Sequence, residues 1–427
     1  MLINLSSKII TYIFLIILFL NCSKGDKVSP NITIQAPLEN ESFQIPTLFY
    51  VKGLVTDDNL QRLEVDIVSG NSSSIVQKVE VELDSSHYEF SIPLMIEDRL
   101  LSSGSYFVNV KAFDKNQNVS SKYISILLNE VPRTLESLFY ITSKNDQTYI
   151  YELDSTGSLQ LKKQINGIHK FSIVNSRHQY LFFSTDEVGE SIEVNGFTNI
   201  WDISTGPSLY PLFIDVSKTD DGDQLHLVTG DGRILSCNKN GNIINNIYSN
   251  SQERFGRFNI QQNIVLVESY SSFLDRDLVV YFRESGIEKQ RIETQGEIVK
   301  IITVNNNDYL ILSHFQNDSK LSTYYLNSNQ LFTEIEISNC LIYDAFNRDG
   351  EIVLTTSKGV YTYDPISKNL TLVNSNLFFS KIIFDELNNS LYLISVNELW
   401  NYNNLGNLNL INTITDTIRD FIPFFNK

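Results

Sequence analysis

Cysteine is nearly missing: there are three in 427 residues. A disulfide framework needs many paired thiols, so covalent stapling is excluded as the source of stability. Methionine is scarcer still, at two. No HExxH, CxxC pair, GxSxG or phosphate-cradling glycine loop occurs, which removes the linear signals of zinc, redox, serine-hydrolase and nucleotide chemistry. No cofactor is expected. Positive charge is also short, with 33 Lys and Arg against 50 Asp and Glu and a net charge of −17. Nucleic acid as a partner, or docking on anionic lipid through a basic patch, would need clustered cations. The five histidines, His87, His169, His178, His226 and His314, are scattered without ligand spacing, and no metal is assigned to them.

What is abundant is β-forming: Tyr, Phe, Ile, Val and Thr recur while helical periodicity is rare. The chain is therefore expected to be all-β, and its length allows two domains.

The N-terminus carries a different signal. Lys8 precedes a largely apolar run, Ile9 to Leu20, too short for the roughly 20 residues that span a bilayer and of the length of a signal-peptide core. The run stops at Phe19-Leu20-Asn21-Cys22. That tetrad resembles the lipobox of Bacteroidota-type lipoproteins, with Asn21 departing from the usual Gly, Ala or Ser. The resemblance implies a lipoprotein signal peptide over residues 1–21, acylation at Cys22 and a polar tether over 22–29. Multiple acyl chains anchor stably where one is marginal. The membrane would then be a partner through the N-terminal lipid, at the outer membrane. The SKGD after the cysteine is loosely similar to the acidic export tags of surface lipoproteins, which favours the cell surface over the periplasmic face. With Cys22 committed to lipid, Cys237 and Cys340 are expected to be buried free thiols.

Between Pro30 and Pro132 lie seven short alternating segments: NITIQAP, FYVKGLVTDD, RLEVDIVSG, IVQKVEVEL, HYEFSIPLM, SYFVNVKAFD and KYISILLN. Their spacing suggests a sandwich. The stretch LSSGSYFVNVKAFDKNQN resembles the penultimate strand of bacterial Ig-like domains, with Tyr106 at the tyrosine corner and Asp114 to Asn118 as the last hairpin turn. Asp57, Asp58, Asp114 and Asn116 offer oxygens of the kind calcium takes, but Asp and Asn also close turns through their own side chains, which is the expected role.

From residue 133 one strand type keeps returning: SLFYITS at 137, YLFFST at 180, QLHLVTG at 224, IVLVESY at 264, DYLILSHF at 308, EIVLTTS at 351 and SLYLISV at 390. A period of about 40–45 residues marks a β-propeller blade of four antiparallel strands. Each copy is followed by an aromatic-rich segment, TNIWDIS being the one assigned to the second. The first copy lacks a leading strand, whereas IRDFIPFF at the C-terminus has that character and nothing after it. Seven blades over residues 133–427, closed by the C-terminal strand, are expected. The architecture resembles WD-like propellers, although their Gly-His and Trp-Asp signatures are absent apart from Trp201-Asp202.

Function is sought in the irregularities. The connection after the recurring strand is long in the second, fourth and fifth repeats, TDEVGESIEVNGF, ESYSSFLDRD and SHFQNDSK, and long loops on a rigid ring are where binding usually sits. The candidate binding face is Glu187, Glu190, Glu193, Phe197, Tyr270, Phe273, Arg276, His314 and Phe315. The recurring aromatics Tyr149, Tyr151, Trp201, Tyr324, Tyr361, Tyr363, Trp400 and Tyr402 read as packing before sugar platforms. Asp220, Asp221 and Asp223 resemble a calcium loop but lack its downstream Glu. The expectation is a lipid-anchored scaffold presenting a propeller to an envelope protein or a glycan, with no catalysis identifiable. The alternatives are an extracellular hydrolase or lyase acting on a polymer, and an accessory subunit of an outer-membrane secretion, assembly or uptake complex.

Overall fold

A computed structural model describes residues 27–70, 75–154, 156–203, 212–219 and 222–427. The expected signal peptide over residues 1–21, Cys22, Asp220 and Asp221 lie outside the described residues. Every regular element among the described residues is a strand, so the protein is all-β. The chain divides into two compact units, Met1–Pro132 and Arg133–Lys427.

In the first unit six strands surround one core: β1 (Asn31–Ala36), β2 (Glu41–Gln44), β3 (Thr47–Ser69), β4 (Ile75–Ile96), β5 (Gly104–Asp114) and β6 (Val119–Asn129). They join in the order β1-β3-β5-β6-β2, with β4 on β3. Four of the expected short strands are thus two long ones. FYVKGLVTDD and RLEVDIVSG fuse in β3 because Asp57 to Asn59 carries no Gly or Pro to break the chain. The register slips there instead, and β3 passes from β1 to β5 on one side while β4 follows it on the other. Asp57 Oδ1 accepts from the Asn59 amide. The Tyr106 hydroxyl donates to the Ser102 carbonyl at 3.0 Å. Asp114 Oδ1 accepts from the Asn116 and Asn118 amides, so its carboxylate closes the turn.

The second unit is seven four-stranded antiparallel sheets. Sheet I joins Ile418–Phe425 to Leu135–Lys144, Gln147–Leu153 and Leu159–Asn166. Sheet II is His169–Asn175, Tyr180–Thr185, Gly189–Glu193 and Asn199–Ile203, and sheet III is Phe213–Lys218, Gln224–Thr229, Arg233–Asn238 and Ile243–Tyr248. Sheet IV runs Arg254–Gln261, Ile264–Tyr270, Arg276–Phe282 and Glu288–Glu293, and sheet V runs Glu297–Thr303, Asp308–Phe315, Asp318–Tyr325 and Gln330–Ile337. Sheet VI is Ile342–Arg348, Glu351–Thr356, Gly359–Asp364 and Asn369–Asn374; sheet VII is Lys381–Asp385, Ser390–Ser395, Glu398–Tyr402 and Leu408–Thr413.

The recurring sequence is the second strand of each sheet. It is apolar on both faces because neighbouring sheets cover both, as in the wholly buried Tyr180–Thr185. Each adjacent pair of sheets shares a core, and sheet VII packs on sheet I through Tyr140, Ile394, Leu399, Ile418 and Phe421. Each first strand contacts the first strands of the sheets on either side, in cyclic order through all seven. Cys237 and Cys340 are buried free thiols.

The C-terminal strand is antiparallel to Leu135–Lys144 and adds Ile418, Phe421, Ile422, Phe424 and Phe425 to the buried set. At roughly 1.5–3 kcal/mol for each such side chain, their loss rivals the ~5–15 kcal/mol stability of a whole domain. Deleting Ile418 to Lys427 should abolish cooperative unfolding of the second unit or lower its Tm by more than about 10 °C, read by calorimetry; an unchanged melt would show that closure is dispensable.

Candidate functional site

The first strands of the second unit carry a linked set of polar side chains. In six of the seven the pairing register slips after the first residues, between Ile418 and Asp420, His169 and Phe171, Phe213 and Asp215, Phe255 and Phe258, Ile298 and Lys300, and Ile342 and Asp344. A bulge of this kind re-aims the next side chain. The residues at or beside it include Asp420, Asp215, Arg257, Lys300 and Asp344, with Lys381 opening the seventh strand.

These residues link neighbouring sheets. Lys300 Nζ is 2.5 Å from Asp344 Oδ1, whose other oxygen accepts from the Ile382 amide at 2.8 Å. Lys381 Nζ is 2.5 Å from Asp420 Oδ2, which also accepts from the Ser172 hydroxyl. Arg257 lies 3.6 Å from Asp215, donates to the Ile214 carbonyl at 2.9 Å and sits over the Phe171 ring. Lys218 donates to the Val174 carbonyl, Asn259 to that of Ile301 and Asn347 to that of Thr303. The links run through all seven sheets and return to the first.

The electrostatics follow from this packing. Burial pushes the Asp215 carboxyl above the usual carboxylate range, against the pull of Arg257. Burial holds His169, 3.9 Å from Asp420, down at about 4. His226, which meets the Ser236 hydroxyl at 2.8 Å, is held at about 4 by burial as well. The Cys237 thiol is pushed up to about 12 by burial, which keeps it protonated and unreactive.

Of the nine residues expected on one binding face, seven stand at or beside the turns between the second and third strands of sheets II, IV and V, and two, Glu193 and Phe197, do not. In the second repeat TDEVGESIEVNGF is not a loop but Gly189–Glu193, the third strand of sheet II, with a turn at either end; TNIWDIS is the outer strand. The alternation ESIE satisfies the ladder once Gly189 starts it. A side chain at Gly189 would meet the Phe213 ring. Glu187 and Glu190 line a polar cleft of about 420 Å³ together with Lys163, which is 3.1 Å from Glu190. Glu193 and Phe197 belong to the other end of the strand, where Glu193 accepts from Thr198 and Phe197 packs edge-on against Phe139.

The fifth insertion is also not a loop. It is the end of a hairpin turning at Gln316, whose φ is 59°, between extended strands. His314 accepts from the Ile342 amide at 2.8 Å through Nε2, and Lys320 lies over the Phe315 ring.

Only the fourth insertion is a true loop, Ser271 to Asp275. It brings Tyr270, Phe273 and Arg276 together, but around an internal task. Arg276 is buried, 2.5 Å from the buried Glu268, and stacks under Tyr270 and Phe273 at 4.8 and 5.8 Å from the ring centres. Glu268 also accepts from the Ile298 amide of sheet V at 2.9 Å, and its burial raises its pKa. A Cβ at Gly256 would fall within 1.9 Å of Glu268 Oε2, which explains the glycine.

Of the aromatic series, Tyr324, Tyr363, Tyr402 and Trp201 are buried, and Tyr151, Tyr361 and Trp400 pack against the shared cores. Asp223 meets His178 at 2.9 Å. The inner charge circuit went unread in the sequence because its members are single residues about a repeat apart; the Asp and Lys punctuating otherwise apolar leading strands were the available signal. No protein-family model matches the chain, and no curated protein matches it significantly.

Two predictions follow the burial. Gly256→Ala should destabilise by about 1–3 kcal/mol through displacement of Glu268, measured by denaturant unfolding; equal stability would show that the carboxylate relocates freely. The unfolded chain protonates its histidines near pH 6.5, whereas His169 and His226 in the folded protein wait until about 4. Stability contributed by neutral burial is therefore lost as pH falls from about 6.5 to 4, and levels below that. Asp215 and Glu268, with raised values, act in the opposite sense. A His169→Gln, His226→Gln protein should show a shallower fall in Tm over that window; an unaltered slope would assign the fall to other groups.

Proposed function

We propose that this chain is a lipid-anchored protein of the bacterial outer membrane, its cell-surface side favoured, in which an Ig-like sandwich precedes a seven-bladed β-propeller that binds a protein or a glycan. The lipobox-like ending at Cys22 supports the anchor. The Tyr106 to Ser102 hydrogen bond and the single shared core support the sandwich. Seven sheets of four strands in cyclic contact support the propeller.

The observation that carries binding over catalysis is the charge circuit of the first strands. A glycoside-cleaving site needs two carboxylates with different proton tasks in one cleft. Asp215, Asp344 and Asp420 each face a cation from a neighbouring strand and accept backbone amides besides. Their oxygens are engaged in holding sheets together, which leaves ligand contact to the outer edges and turns.

The anchor is directly testable. In a Bacteroidota-type host fed an alkyne-tagged fatty acid, the wild-type protein should take up label and stay with the outer membrane, and Cys22→Ser should do neither. An unlabelled wild-type protein would remove the lipoprotein assignment.

A further inference from the structure

One cleft combines room, an exposed ring and a lining rich in hydrogen-bonding groups. Where the outer strands of sheet V meet the Lys368 turn of sheet VI lies a cavity of about 680 Å³, within the range of sites that hold small ligands. Tyr325 and Phe332 form an edge-to-face pair on its wall, ring centres 5.9 Å apart, and Phe332 is 50% exposed. Such a face, apolar on a strand that alternates toward solvent, has no packing task outward.

Glu334 lies two residues further on. Its side chain is only 9% exposed, Oε2 is 2.7 Å from Lys368 Nζ, and Oε1 is buried with no hydrogen-bond partner. The hydroxyl of Tyr363, fully buried, also has no partner, and burial, with the Glu334 charge adding to it, raises its pKa to about 12. A buried acceptor left unmade costs about 1–3 kcal/mol. Glu334 Oε1 and the Tyr363 hydroxyl are both closed to solvent, so that cost belongs to the fold and not to the cleft. The remaining lining is amide, hydroxyl and carboxylate, from Asn307, Asn327, Gln330, Thr333 and Asp308.

We propose that this cleft binds a neutral oligosaccharide, with one sugar ring against the half-exposed face of Phe332 and its hydroxyls on the amide, hydroxyl and carboxylate groups of the lining. The stacked ring and dense polar rim suit a ligand apolar on its ring faces and hydroxylated round its edge. Neutrality follows from the charges: the one lining cation, Lys368, is already paired with Glu334, and Asp308 adds a second carboxylate. A polyanion would be repelled both here and by the net charge of −17. The inference deepens the reading of this unit as a binding platform and rests on it.

The test is isothermal titration of the full acylated chain in mild detergent with cellohexaose, maltohexaose, laminarihexaose and xylohexaose, with oligogalacturonate as the anionic comparison. At least one neutral hexasaccharide should bind. Phe332→Ala should weaken it about tenfold and Asn327→Ala a few-fold, with the Asn327→Ala melt unchanged because that side chain is exposed. Absence of binding at millimolar sugar, wild-type affinity in both variants, or preference for oligogalacturonate would each overturn the proposal. Fatty-acid labelling at Cys22 reads the envelope assignment independently, so either can fail alone.

Discussion

Closure is the constraint on which the second unit depends. Each sheet is apolar on both faces, and a sheet in that state is stable only when both are covered. An open row of seven would leave two faces bare; a cycle leaves none. The cycle is made by the most distant pairing in the chain, Ile418–Phe425 on Leu135–Lys144, which puts strands from both ends of the unit into one sheet. Non-local pairing of this sort repays its loop-closure cost only once the intervening sheets are formed, so the last strand to be made supplies the stability that the others lack.

The polar chemistry of the first strands follows from the same geometry. Where seven strands converge, their outward groups face one another across a short distance, and unpaired charges there would be costly. The sequence meets this with alternation: Lys300 with Asp344, Lys381 with Asp420, Arg257 with Asp215. Each carboxylate also takes a main-chain amide, so the pairs fix the positions of neighbouring strands as well as cancelling charge. Glu268 extends the scheme outward, bridging Arg276 of its own sheet to the Ile298 amide of the next. The histidines beside this circuit remain neutral for the reason the carboxylates remain paired: the interior has little water to solvate an isolated charge.

What could be read from the sequence was set by periodicity. The second strands are short, apolar on both faces and nearly identical in pattern, so YLFFST and EIVLTT mark their sheets unaided. The fusion of short segments into β3 was not legible, since a register slip at Thr56 to Arg62 leaves no Gly or Pro behind it. Nor was sheet II. Its third strand, GESIE, is brief and acidic, and the Trp201 strand after it looks more like the third strands elsewhere. Two of the nine candidate residues moved for that reason: Phe197 went to a core and Glu193 to the opposite end of the strand. Arg276 was found, but as part of a buried pair, because a loop aromatic and a loop cation satisfy each other before they satisfy a ligand.

That last point bears on where a ligand could act. In a closed cycle the inner strands have used their side chains on one another, and the second strands are buried on both faces. Capacity for recognition is left on the outer strands, where one face stays wet and the residues contribute least to closure. The fourth strand of sheet V shows the difference. Its inner-facing Ile335 and Ile337 join the core shared with sheet VI, while Phe332 projects half exposed. Glu334 is drawn in by Lys368 and ties this strand to sheet VI, which leaves the half-exposed ring of Phe332 as the face turned to solvent.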